Sequence, residues 1–248
     1  MFSKTTFVFA LMALFAVQSS SALQPQEVDE RSLSDLIEQA KEAIKNLSEI
    51  VNSTIKNAID KLSTIKDEIL ANAQDIIADA KNNITSIIDK VKVEIDKIKE
   101  QAANLGDDVK ECIDKNSAEI EQLPQKIIDK LLQCIYEPVD EALSIIEQAI
   151  NKILAIKDEL TGLPQKLKGC FVTVNPVSCV TTLIAQIVKD TVSVPTDIQN
   201  IVSQILELVA NLEIKMKACA VEKAIEASME AAAIGVKVAK CVTEQNEA

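Results

Sequence analysis

Histidine and tryptophan are missing from this 248-residue chain, and five phenylalanines and one tyrosine are its whole aromatic content. Without histidine there is no Ser–His or Cys–His nucleophile pair, no histidine-ligated zinc or haem, and no side chain whose ordinary pKa lies near neutrality. Arginine is reduced to Arg31, and the net charge is −12. Such a surface neither neutralises phosphates nor stacks bases, so no nucleic-acid partner is expected. Glycine and proline are scarce, and neither occurs between Gln26 and Leu105. Carboxylate or lysine acid–base chemistry needs no histidine, but no motif for it is present. Asp107-Asp108 is the nearest thing to an acidic cluster beside a glycine, and it lacks the alternating ligands of a calcium loop. The expectation is therefore no enzyme, no catalytic residue, no cofactor and no metal.

What is present begins with a secretory pattern. Lys4 precedes an apolar core over residues 7–17, followed by the small residues Ser20-Ser21-Ala22. A core this short does not span a bilayer, so residues 1–22 are read as a cleavable signal peptide. Its removal takes Phe2, Phe7, Phe9 and Phe15 with it, leaving Phe171 and Tyr136 as the only aromatics. Loss of Lys4 moves the net charge from −12 to −13. No second apolar stretch of spanning length is read after the signal, so no transmembrane anchor is expected and the destination is extracellular. Residues 23–31 read as a flexible tail, 32–108 as an amphipathic repeat region, and 109–248 as a cysteine-containing helical region.

The repeat region has the clearest pattern. From Ser32 to Asp108 the chain divides into seven blocks of eleven, starting at Ser32, Ala43, Thr54, Ile65, Ile76, Ile87 and Ile98. Every fifth block residue is apolar: Leu36, Leu47, Ala58, Ile69, Ala80, Val91 and Ala102. Every fourth is polar, from Asp35 and Asn46 to Gln101, and the apolar ninth position fails only at Gly106. Eleven residues in three turns is about 3.67 per turn, so the stripe barely drifts and the helix packs straight or with a slight right-handed twist. One such helix would extend about 115 Å at 1.5 Å per residue. A rod and a hairpin bent at Asn52-Ser53 or Asn82-Asn83 both satisfy this pattern.

Gly106, Pro124, Pro138, Gly162, Pro164, Pro176 and Pro195 punctuate the second half. They predict helices over 107–122, 124–136, 139–161, 179–193 and 196–243, with a helical turn at 164–169. The fold class is thus all-α: an elongated helical bundle with a long N-terminal helix or hairpin, then a multi-helix region. Two short echoes, Leu123 to Lys126 with Leu163 to Lys166 and Ile65 to Glu68 with Ile156 to Glu159, suggest internal duplication.

All six cysteines lie in the second half: Cys112, Cys134, Cys170, Cys179, Cys219 and Cys241. In an oxidising compartment they form three disulfides, with fifteen possible pairings. Cys219 and Cys241 would lie about 33 Å apart on one helix, so each must bond to another helix. Cys112 and Cys134 flank Pro124 and could close a helical hairpin. Three N-glycosylation sequons begin at Asn46, Asn52 and Asn83.

The combination of signal peptide, long Ile/Leu/Lys/Glu helices, scarce aromatics and cysteines over Cys112–Cys241 resembles small secreted insect proteins of the TsetseEP-domain type. That resemblance implies an extracellular helical protein of gut or body fluid. The eleven-residue repeat is more loosely similar to exchangeable apolipoproteins, which implies a lipid-binding face. Two functional expectations follow. One is a non-enzymatic structural or interaction protein, with a protein partner or self-association through the helical stripe. The other is a carrier of lipid or another small apolar ligand.

Overall fold

A computed structural model describes residues 33–102 and 106–243. The signal expected at 1–22 and the tail at 23–31 lie outside the described residues. The chain is all-α: α1 Leu33–Gln101, α2 Asp107–Thr161, α3 Leu163–Cys170 and α4 Pro176–Thr243.

Helix α1 is one uninterrupted element of 69 residues, about 100 Å long. Neither Asn52-Ser53 nor Asn82-Asn83 bends it. Their side chains are exposed, and Asn52 Nδ2 donates to Ser48 Oγ at 3.1 Å, so no buried polar group forces a break. The repeat governs burial as its phase requires. The fifth positions are buried from Leu36 to Ala80, Val91 is half-buried, and every fourth position is exposed. Leu47, Leu62, Ile84 and Ile88 have no exposed surface. Each such side chain stabilises the fold by about 1.5–3 kcal/mol relative to remaining in water.

The repeat does not end with α1. In α2, Val109, Ile120, Leu131, Ala142 and Ile153 are all buried and fall eleven apart. That continuity corrects the predicted helix breaks. Pro124 and Pro138 lie inside the 55-residue α2, and Pro195 lies inside the 68-residue α4. A proline in a helix interior removes one backbone hydrogen bond and costs about 3 kcal/mol. Burial of the in-phase stripe on both sides of each proline, Leu123 and Ile127 around Pro124 for example, outweighs that cost.

Helix ends follow local chemistry. Asp107 and Asp108 sit in the first turn of α2, where negative charge suits the helix dipole. Gly162 closes α2 in a right-handed conformation, φ −78° and ψ −15°, so the chain runs on into α3 with Pro164 in its first turn. The start expected at residue 179 is corrected to Pro176. Asn175 accepts a hydrogen bond from the backbone N–H of Ser178 at 3.1 Å, and Pro176 occupies the adjacent position that needs no donor.

Ion pairs report the register. Lys66–Glu147, Lys92–Glu121 and Lys99–Asp114 align α1 antiparallel to α2. Lys126–Glu230, Lys130–Glu226 and Lys237–Glu119 align α2 antiparallel to α4. Helices α1 and α4 therefore run parallel, and theirs is the most extensive packing. One core cluster runs from Leu47 to Cys241 through all three long helices, so the regions divided at residue 108 share a single interior. A smaller cluster of Leu36, Ala40, Leu167, Cys170 and Val180 closes the far end.

Candidate functional site

The apolar stripe of α1, which the sequence allows as either an ordinary bundle core or a face for lipid, ligand or partner, forms the bundle core.

All six cysteines are disulfide-bonded, as Cys112–Cys241, Cys134–Cys219 and Cys170–Cys179. The hairpin pairing of Cys112 with Cys134 is thereby corrected. Because Pro124 does not break α2, those two residues are held about 33 Å apart on one continuous helix. Twenty-two residues is two repeats of eleven, or six turns, so Cys112 and Cys134 share a face, as do Cys219 and Cys241. Set antiparallel, the two helices meet at matched heights and form a ladder with two rungs. The equal spacing was the sequence signal for this pairing. Asn116 packs over the lower rung, donating to the Cys112 carbonyl at 2.8 Å with its Nδ2 3.5 Å from Cys241 Sγ.

The third bridge does something different. Cys170 and Cys179 are nine residues apart and clamp the turn from α3 into α4, with Cα atoms 5.4 Å apart. That clamp presents Phe171, Val172, Val174 and Val177 to solvent at one end of the rod. Val172 is 88% exposed, and Val174 is exposed fully. Backbone bonds from Phe171 N–H to the Lys168 carbonyl and from Thr173 N–H to the Cys170 carbonyl order the loop. Phe171, the one phenylalanine outside the signal pattern, thus lies on a rigid, apolar tip. Acidic residues are absent between Glu159 and Asp190, while Lys166, Lys168 and Lys189 fall there; Asp35 and Glu38 at the start of α1 stand at the same end.

Beside the tip, α2, α3 and α4 diverge around an open groove of about 950 Å³. Its apolar lining includes Ile156, Leu160, Leu163, Leu183 and Val194, with Lys166 and Asp190 at its edge. The neighbouring part of α4 also modifies the sequence expectation. Between Lys168 and Asp197 the only charges are Lys189 and Asp190, and α4 is long and apolar enough by length and composition to cross a membrane. Only 17% of that apolar stretch is buried.

The sequon asparagines Asn46, Asn52 and Asn83 are all exposed on α1. Asn46 borders a shallow groove between α1 and α4, beside the exposed Ile50, Val188 and Val192. A glycan there would cover those side chains. Charges concentrate on the α2–α4 seam instead. Hydrogen bonds from Lys130 and Lys223 hold the Glu226 carboxyl below its ordinary value. A hydrogen bond to Glu230 raises Lys126, and bonds to Glu222 and Glu226 raise Lys223. These are paired groups on a solvated seam, not a reactive cluster. Among the described residues no three acidic or cysteine side chains gather where they could hold a metal ion.

Scans of protein-family models, curated proteins and solved structures each found no match to the chain.

Proposed function

We propose that the chain is a secreted, non-enzymatic interaction protein, an extracellular rod that carries an apolar docking tip at one end. The observation that carries this reading is the Cys170–Cys179 clamp, which holds Phe171, Val172, Val174 and Val177 exposed. Ordering such a loop before it binds removes much of the entropy cost that a flexible apolar segment would meet on docking. Exposed apolar side chains gathered at one place mark an interaction site more often than scattered ones do. Three disulfides accord with an oxidising, extracellular setting.

The test is a photo-cross-linking side chain placed at Val172 and irradiated in the native extracellular fluid. A discrete adduct is expected, lost with excess unlabelled protein and with Val174→Asp. Labelling that is diffuse, or that ignores both competitors, would overturn the reading.

A second reading, lipid carriage, is favoured by the open groove at Ile156, Leu163 and Leu183 and by the exposed apolar stretch of α4. Organic extraction of natively purified protein separates the two. Stoichiometric lipid in the extract supports the carrier, and its absence leaves the docking tip.

A further inference from the structure

Helix α4 has apolar residues on two faces. One lines the core through Ile198, Ile205, Met216, Ala227 and Val238. The other lies in solvent, where Ile214 is 67% and Met229 65% exposed. This outer stripe runs from Glu207 to Lys240 in steps of three and four. It repeats every eleven residues, through Glu207, Ala218, Met229 and Lys240. Eleven-residue phase keeps it straight for about 50 Å. Several neighbouring charges are held in ion pairs away from it, while Lys215 and Glu222 flank it exposed. Lys130 and Lys223 hold Glu226, Lys126 holds Glu230, and Glu119 holds Lys237.

We infer that the outer face of α4 pairs antiparallel with the same face of a second copy of this chain. A lipid surface fits poorly, because the stripe has no aromatic residue and Glu222 flanks it beside Lys215. Another copy fits in detail. In one antiparallel register the residues of the stripe meet as Ala210 with Val236, Ile214 with Ala232, Ala218 with Met229 and Val221 with Ile225. Three of these four set a large side chain against alanine, the alternation that lets two helix faces interdigitate. The same register sets Glu207 against Lys240 at both ends. Both are exposed, and neither has an ion partner among the described residues. A two-fold interface requires this self-complementarity, since each contact occurs twice.

A stripe about 50 Å long and one helix face wide buries about 800–1,000 Å² in total, at the low end for a specific interface. The dimer is therefore reversible, dissociating in the micromolar range. It places the two Cys170–Cys179 loops at opposite ends, about 140 Å apart at 1.5 Å per residue. Taken with the docking-tip reading, the dimer is a two-ended linker. The pairing itself does not depend on that reading.

Sedimentation over a concentration series tests the inference. Reversible monomer–dimer exchange is expected, weakened at least tenfold by Val221→Lys. Glu207→Lys and Lys240→Glu should each weaken it several-fold. An equimolar mixture of those two variants should recover a 1:1 dimer, because opposite charges then face each other at both ends. The weakening of each variant alone marks the antiparallel register, since a parallel one sets like charges together with or without the substitution. All three positions are exposed, so unchanged circular dichroism excludes misfolding as the cause. A chain monomeric at hundreds of micromolar, or a dimer indifferent to these substitutions, overturns the inference.

Discussion

At Gly235 on α4, an added Cβ would lie 3.4 Å from Val91 Cγ1 on α1. The two parallel helices are therefore close here, yet a methyl group still makes ordinary contact. Gly235→Ala removes the helix penalty of glycine and is expected to stabilise the protein by about 0.5–1 kcal/mol. Gly235→Leu must push α1 away and is expected to destabilise it by about 1–3 kcal/mol. Thermal unfolding of the two variants, moving in opposite directions, checks the point.

Pro124 and Pro164 sit in the same Leu-Pro-Gln-Lys sequence but in different places on a helix. Pro124 is interior to α2, whereas Pro164 occupies the first turn of α3. Pro124→Ala is expected to restore a hydrogen bond to the Ile120 carbonyl and raise stability by about 1–3 kcal/mol. Pro164→Ala should change it by less than about 0.5 kcal/mol, its missing N–H being unneeded there. Each kcal/mol corresponds to roughly 2–4 °C in Tm for a chain this size.

The seam charges give a pH dependence with a definite sign. Glu226 is lowered from 4.5 by hydrogen bonds from Lys130 and Lys223, so its stabilisation is complete above that value. It is lost as pH falls through the lowered folded value. Lys223 is raised from 10.5 by Glu222 and Glu226, and its contribution is lost only as pH rises through the raised value. Glu226→Gln is expected to lower stability by about 1 kcal/mol at pH 7, the scale of a part-exposed ion pair. That difference should vanish at acid pH once the wild-type carboxyl is protonated, as melting curves across pH would show.

Removing disulfides in pairs should rank them by the chain they close. Cys134→Ser with Cys219→Ser opens a separation of 85 residues and is expected to cost about 4–5 kcal/mol. Cys170→Ser with Cys179→Ser opens nine and is expected to cost about 2–3 kcal/mol, while freeing the tip. Denaturant unfolding gives the first comparison. Cross-linking from Val172 in the second variant shows whether a mobile loop still docks.

Much of this was legible beforehand because it is local. The eleven-residue phase at Leu36, Leu47, Ala58 and Ile69 named the buried face of α1 before any partner helix was known. The tip was missed because Phe171, Val172, Val174 and Val177 have no helical or strand period. They become a surface only when Cys170 bonds Cys179 and the bundle turns its back on them. Asn175-Pro176 is also a local capping signal for the start of α4, three residues before the start expected at 179.

By itself the sequence determined helicity, the straight stripe of α1 and cysteines of even number, since these depend on neighbours within a few turns. The tertiary structure alone decided three further things. Pro124, Pro138 and Pro195 do not break their helices, because long-range burial exceeds a local penalty of about 3 kcal/mol. Cys112 and Cys134 bond across to α4 and not to each other, because a continuous α2 holds them apart. Of the two apolar stripes on α4, the one through Met216 is buried and the one through Met229 faces water. Both stripes have helical spacing and similar residues. Only packing against α1 and α2, with the two disulfide rungs that tie α4 to α2, selects which of them turns inward.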